Sequence, residues 1–575
     1  DVLIADALVD TKLFTLTGAN LFIRGCVADH KKRQKAAQRQ RAEQARENLL
    51  DVRTKKGKAS IDVGGRQLSD VVGEALQVLE QSNNASPRIF VRNGALSRIA
   101  QDERGFYGVQ EFDDRALLHE LAEVADWETV VIDVNGIPQT KAVDPPINAI
   151  REIFGRPGWP GFPALAGVVT SPVFSRDGDL HDQPGYNPAT RLYYTGGVTV
   201  GDTTPTPANI ERAKDLILNN LLVDFPFKDD ASRAHAVAYL LLPFVRDMID
   251  GPTPVHDVDS PTAGTGKGKL LNACAYPFLG HDVPTMAAAK DDDEWRKRIT
   301  TSLMNGNTHL VIDNVNHELD SGSLASAFTQ PVWEDRTLGA NRQVKIPIRT
   351  IWGITANNIK MSQELARRSL WIRLDANVEK PWERTEFKHK NLMGWARVNR
   401  DALATAAITF IRAWIDRGMT LYDWRTKGSY ESWAGVMGGI LDAVGIPGFL
   451  ENETELYERV VSKNDLLIDF VKAWWEHQQE REGKRQAEIL ASGASKTENC
   501  LSSYELFKLA SYADDEGRAA AMGETWHNLL SDMLNSQKQK GRQTQLGKIL
   551  DAHLDKVIAG FKISLAKTAN GSKFW

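Results

Sequence analysis

The chain has 575 residues and a formal net charge of −5, from 70 basic and 75 acidic side chains. Hydrophobic residues make up 42% and charged residues 25%, the balance of an ordinary soluble globular protein, which excludes a disordered, collagenous or disulfide-stapled chain. The three cysteines, Cys26, Cys274 and Cys500, lie far apart with no CxxC; that excludes a zinc ribbon and fits a reducing cytoplasm.

At about 150 residues per domain the length suggests about four units. The first is a basic arm, residues 1–64. Within it residues 31–60 hold eleven Lys or Arg against three acids, and Ala28–Leu50 reads as a polar helix. Such a helix is either a solvated linker or an arm that touches DNA phosphates. The second unit, 65–206, opens as a small α/β region. Helical spacing marks Leu68–Gln81 and Asp114–Val124, and strand alternation marks Arg88–Ile99 and Gly105–Phe112 with an Asn93–Gly94 turn. Eleven of the 23 prolines then fall between Pro138 and Pro207, which predicts irregular or short-stranded structure wrapped on a surface. Two amphipathic helices are expected around Ile210–Leu222 and Ser232–Met248. The longest apolar run, Ala236–Val245, is too short to span a membrane. No signal peptide is visible, and a start at Asp1 rather than Met reads as a fragment.

The third unit, 207–455, carries the chemistry. Pro254–Val258 reads as a strand, and Leu270 opens a helix. Between them lies Ser260-Pro-Thr-Ala263-Gly264-Thr265-Gly266-Lys267-Gly268-Lys269. A strand, a glycine-rich loop and a helix form the context in which main-chain N–H groups and a helix N-terminus cradle phosphates. Lys267 would reach the β- and γ-phosphates of ATP. Pro261 stands where the first glycine of GxxxxGK[ST] belongs, and Gly268 stands where a magnesium-binding hydroxyl belongs. Further on, Thr308–Asp313 is an apolar strand ending in an acid placed to hold Mg²⁺, followed by Asn314. A third strand, Thr350–Ala356, ends in Asn357-Asn358, and Arg367-Arg368 comes next.

This set, in this order, resembles the AAA+ core of superfamily 3 helicases. The likeness is closest to primase-helicase proteins of phages, plasmids and integrated elements. It extends through Asp224-Phe-Pro-Phe227, Trp333–Gly339 and Trp433–Gly439. The resemblance implies an α/β P-loop ATPase core, with ATP and Mg²⁺ as cofactors. Asp313 would hold the metal. Asn357 would be the polar residue that orients the attacking water. Arg367 or Arg368 would be an arginine finger reaching a neighbouring subunit's ATP, hence a ring, a hexamer; the alternative for that pair is a surface salt bridge. The family's usual glutamate after the Walker B Asp is Asn314 here. Glu294 and Glu318 are the candidates for a general base, with Glu294 preferred because it opens a helix expected near the site. A β-hairpin between the Asp313 and Asn357 strands would grip single-stranded DNA, with Arg342 and Lys345 as the phosphate contacts.

After the core, Asn391–Asp416 reads as a helical lid. The fourth unit, 456–575, shows helices at Leu466–Glu482, Ser502–Ala513, Glu524–Asn535 and Leu546–Leu554. It ends in a strand-like Val557–Ile563 and a turn at Asn570–Gly571, which reads as a winged helix that contacts duplex DNA or a protein. Asp257 and Asp259 form a DxD on the strand feeding the loop and read as local structure. No primase centre is visible, and one would have to lie upstream or on a partner. Three classes compete: a DNA helicase or translocase of a mobile element, an AAA+ switch or loader without unwinding, and a protein-remodelling machine.

Overall fold

The computed structural model of the chain describes residues 58–456, apart from 104, 133–137 and 337–342, together with parts of both ends: 15, 17–18, 20–33, 36 and 40 before it, and 471–472, 474–475, 479, 506, 546–551 (without 552–553), 554, 557–558, 561–565, 567–569 and 572–574 after it. The central sheet is built from Val255–Ser260 (β1), Thr285–Ala287 (β2), His309–Val315 (β3), Ile351–Asn357 (β4) and Ser369–Arg373 (β5). Its order is β2-β3-β4-β1-β5, and every neighbouring pair is parallel. Runs such as Leu310-Val311-Ile312 are apolar throughout because successive side chains enter cores on opposite faces. Leu310 and Ile312 share one core with Trp352 and Ile354, while Val311 joins the other with Val258 and Ile372.

Six helices cover the sheet: Asp230–Leu241 (α1), Lys267–Leu279 (α2), Asp292–Met304 (α3), Gly322–Thr329 (α4), Arg400–Asp416 (α5) and Glu431–Ala443 (α6). Side chains of α1, α2, α5 and α6 build the core on one face, and α3 and α4 the core on the other. The second face also carries an antiparallel hairpin, Val332–Arg336 with Gln343–Pro347.

The expected amphipathic helix at Ser232–Met248 is corrected on two counts. From Ala231 to Leu241 every residue except Arg233 is buried, because α1 packs against β5, α2 and α6 at once. The helix also stops at Leu241, since Pro243 forces a tighter turn. The segment before it begins as an α-helix, Pro207–Lys214, and continues as a π-helical stretch, Asp215–Leu221. The segment expected to form a helical lid is two helices, Leu392–Val398 and α5, broken at Asn399.

The N-terminal unit begins earlier than residue 65. Ala59–Asp62 pairs in parallel with Ala125–Ile132, and Ile61 is buried among Val72, Leu79, Leu117 and Ile150. Helices Leu68–Ala85 and Asp114–Val124 lie where the spacing predicts. Asn93 and Gly94 both take positive φ, 50° and 74°, as the tight turn joining Ile89–Arg92 to Ala95–Gln101 demands. The proline-rich stretch does form short strands, but it is more than a surface wrapping. Val169, Phe174, Leu192 and Tyr194 are buried in the same core as α1 and α2. Arg400 of α5 fastens it by donating to the carbonyls of Thr170, Gly197 and Phe278.

In the arm, residues 20–33 are helical, while most of the expected helix to Leu50 lies outside the described residues. At the other end two hairpins are present, Val557–Ile558 with Phe561–Lys562 and Lys567–Ala569 with Ser572–Phe574. The helices expected at Ser502–Ala513 and Glu524–Asn535 fall almost entirely outside the described residues. Among those residues no helix is long and apolar enough to cross a membrane.

Candidate functional site

Strand β1 ends at Ser260 and α2 begins at Lys267, so the glycine-rich loop turns through six residues at the C-terminal edge of the sheet. Two glycines make that turn possible, Gly264 at φ 78° and Gly266, the helix N-cap, at φ 94°. A Cβ at Gly264 would stand 2.9 Å from Cβ of Trp382 and 3.2 Å from its ring. Glycine is thus required there by both conformation and space. Trp382 covers the loop while remaining 60% exposed, and Phe225 lies 3.4 Å from where a Cβ on Gly266 would be. Ala263, Gly264, Gly268 and Lys269 face outward. The Thr265 hydroxyl is buried with no hydrogen-bond partner among the described residues. The loop leads directly into the N-terminus of a 13-residue helix, where main-chain N–H groups favour anions.

Lys267 bends back over the strand ends. Its Nζ donates to Asn357 Oδ1 at 2.6 Å and to Ser260 Oγ at 2.9 Å. Half-burial pushes its pKa down, while the Asp259 and Asp313 carboxylates oppose that shift. Asn358 straps the same edge, its N–H donating to the Ser260 carbonyl at 3.0 Å. Beneath the loop Asp259 is fully buried and ion-paired with Arg373, and it accepts from the Ile359 N–H. The DxD acid at this position is therefore structural, as the sequence suggests.

Asp313 is exposed at the tip of β3. The Thr355 hydroxyl donates to Asp313 Oδ1 at 2.6 Å and accepts from the Asn314 N–H at 2.8 Å. One buried threonine thus fixes the direction of the carboxylate. The pairing of β3 with β4 slips between Ile312 and Val315, and Asn314 sits in that bulge at φ 54°. Asparagine tolerates the left-handed conformation far better than a longer side chain, which is a local reason for Asn at this place. Glu294 lies in the first turn of α3, capped by Asp291. Its carboxylate pairs with Arg298 at 2.9 Å, and Arg298 also donates to the Ala287 carbonyl. Ala287 is in register with Asp313, so Glu294 stands one strand beyond the acid, held by an arginine.

The donor set suits magnesium. That ion is commonly held by one or two carboxylates together with substrate phosphates and water, and Asp313 offers one carboxylate beside the glycine-rich loop. Gly268 supplies no hydroxyl, yet a Cβ there would meet nothing within 4 Å. Crowding is therefore not what excludes a serine. Among the described residues no cluster of three or more His, Cys, Asp or Glu forms a metal cage of its own.

The arginine pair does not join this group. The Val255 N–H donates to the Arg368 carbonyl, and β5 runs parallel to β1 from Ser369 opposite Val255. Arg367 and Arg368 therefore sit at the start of the strands, and the loop at their far end. Five residues at about 3.3 Å each put them about 16 Å from the loop of their own chain. Arg368 is tied down, donating to Thr329 Oγ1 at 2.6 Å and pairing with Glu364. Arg367 is exposed and its side chain bonds to no described residue. On the hairpin, Lys345 pairs across the strands with Glu334 at 2.8 Å, and Arg342 lies outside the described residues.

Thr355, Ser260, Trp382 and Arg373 belong to this site and were not singled out from sequence. A polar residue interrupting Ile351–Ala356 is the signal that points to Thr355.

No known protein family matches the chain, and no curated protein does. Solved structures with a similar outline include the apo A form of the NrS-1 C-terminal region, at 12% identity and a TM-score of 0.36, covering 79% of this chain and 93% of that one. Its shorter piece, 305–718, aligns at 13% identity and a TM-score of 0.31, over 72% and 87%. SCCmec type IV Cch, described as an active helicase, aligns at 12% identity and a TM-score of 0.28, over 69% and 79%. Likeness at this level carries no argument about function.

Proposed function

We propose that the chain is an ATPase that drives helicase or translocase action on DNA in the replication of a mobile genetic element. The observation that carries this reading is the meeting of three strand ends. Lys267 from the loop after β1, Asn357 at the tip of β4 and Asp313 at the tip of β3 share one edge of a parallel sheet, where ligands of such sheets bind. In this reading the loop N–H groups and Lys267 hold the phosphates, and Asn357 orients water. Asp313, steered by Thr355, would hold magnesium, which when bound offsets the phosphate charge. An arginine about 16 Å away on the same chain serves a neighbour's nucleotide, which supports a ring of identical subunits. The hairpin carrying Arg342 and Lys345 would grip a single strand, and the C-terminal unit would touch duplex DNA. A primase partner or upstream domain fits the same role.

A second reading has one observation in its favour. The residue after Asp313 is Asn314 in a bulge, and the preferred candidate base, Glu294, is engaged by Arg298. A weak general base suits an AAA+ switch or loader that binds ATP and DNA without processive unwinding. ATP turnover and unwinding of a forked duplex, measured side by side, distinguish the two. Lys267→Ala should abolish turnover while leaving the fold intact, because it removes a phosphate contact and little packing. Unchanged turnover in that variant would refute the nucleotide site.

A further inference from the structure

A cavity of about 900 Å³ opens at the opposite edge of the sheet. It lies where Thr308 and Thr350, which lead into β3 and β4, meet the Asn93–Gly94 turn of the N-terminal unit and the hairpin strand Gln343–Pro347. Thr308 is five residues from Asp313, so the cavity is about 16 Å from the nucleotide edge. Arg92, Arg191, Arg246, Lys345 and Arg349 line it, and among the described residues no acidic or aromatic side chain does. Two of these cations are neutralised, Arg349 by Asp247 and Lys345 by Glu334. The other three form no ion pair among the described residues. Arg92 donates to the Met304 carbonyl at 2.9 Å, at the end of α3. Arg246 donates to the carbonyls of Ile249 and Gly251, at 3.1 and 2.8 Å, and its Nε is buried with no partner. Arg191 is exposed at the rim.

Burying a cation against carbonyls is costly, and the fields of Glu111 on Arg92 and of Asp247 on Arg246 offset part of that cost. Desolvation lowers the pKa of Arg92 and brings that of Arg246 to about 10, which leaves Arg246 charged at neutral pH. Two such charges, with the exposed Arg191 at the rim, focus positive potential into the cleft, on a chain whose net charge is −5.

We propose that this cleft binds the phosphate backbone of a single-stranded nucleic acid, held by Arg92, Arg191 and Arg246. The absence of aromatic side chains argues against a mononucleotide, whose base would need a stacking surface. A phosphodiester chain needs only the cations, with its bases turned outward. Its enclosure by two units of the protein suits one strand rather than a duplex. The cleft continues onto the hairpin through Lys345, so one strand could run along both. Choosing a nucleic acid as the polyanion rests on the functional reading above, while the cleft itself is separate from the nucleotide edge.

The test is fluorescence anisotropy of a short labelled oligothymidine with the full chain in nucleotide-free buffer, across a salt series. Arg191→Glu changes an exposed residue, and Asn307→Asp adds a carboxylate to the cleft wall. Each should weaken binding by about tenfold at low salt, and Arg191→Glu should make the slope of log affinity against log salt shallower by about one. Arg417→Glu, an equal charge change outside the cleft, should leave both unaltered. No binding by wild type, or equal binding by wild type and both cleft variants, would overturn the proposal. So would tripolyphosphate binding that Arg191→Glu weakens while oligothymidine binding stands, since that marks a free-phosphate site. ATP turnover on the same samples separates the two ideas. Cleft-dependent binding without turnover defeats the ATPase reading alone, whereas turnover with cleft-independent binding defeats the cleft alone.

Discussion

Replacing Thr355 by valine keeps the volume and branching of the side chain and removes one hydroxyl. That hydroxyl is buried, donates to Asp313 at 2.6 Å and accepts from the Asn314 N–H at 2.8 Å. A hydrogen bond to a charged group contributes about 1.5–3 kcal/mol, and an orphaned buried N–H costs about 1–3 kcal/mol. Some of the first is regained, because Asp313 is exposed to water. The net loss in unfolding free energy should be about 2–4 kcal/mol, read by urea denaturation. The functional loss should be of comparable size. A metal-holding carboxylate that loses its orienting partner forfeits about 10–100-fold in metal affinity or activity. Titrating Mg²⁺ against ATP turnover should therefore shift the midpoint upward in Thr355→Val, while Thr355→Ser, which keeps the hydroxyl, should stay near wild type. A valine variant with lowered stability but an unshifted magnesium midpoint would refute the assignment of Asp313 as the metal carboxylate.

Gly268→Ser restores a hydroxyl at an uncrowded position; it should stabilise the start of α2 by up to about 1 kcal/mol and raise magnesium-dependent turnover, which steady-state kinetics would register. Arg367→Ala and Arg368→Ala should separate: the first should melt like wild type, bind nucleotide and hydrolyse it poorly, with partial recovery when mixed with Lys267→Ala protein. The second should also melt lower, because Arg368 ties Thr329 and Glu364 to the strand; wild-type turnover in both would make the pair structural. Stability should fall on acidification below about pH 6.5. His235, with a pKa lowered to about 4, and His256 and His309, lowered to about 3, are buried neutral, so the unfolded chain binds more protons between those values and about 6.5. Each histidine then removes up to about 1.4 kcal/mol per pH unit in that window, and denaturant midpoints at pH 7.5, 6 and 5 would show the decline or its absence.

Local signals made much of this architecture legible. The glycine-rich turn was readable because glycines at positive φ leave a mark in composition, and Asp114–Val124 because apolar spacing follows the helical period. The α1 region misled for the same reason. Its run from Ala234 to Leu241 is buried throughout, His235 included, because three elements surround it, a property of the neighbours rather than of the segment. Thr355 could not be tied to Asp313 from sequence, since the bond depends on the register of two strands 42 residues apart. The separation of the arginine pair from its own loop depends likewise on the pairing of β1 with β5. Asn314 looked like a lost glutamate, and only the bulge reveals that this position is held left-handed.

The contact between Lys267 and Asn357 casts these two residues in one further light. The side chain proposed to orient water already occupies the lysine, at 2.6 Å. An arriving phosphate would not gain a free cation; it would exchange with a resident amide that acts as an internal competitor. The lysine's contribution to affinity becomes the difference between two partners rather than the strength of one. The displaced amide, its oxygen released, is then able to turn toward water at the moment phosphate arrives. Occupancy and readiness would thus be the same event, written in a single hydrogen bond that changes hands.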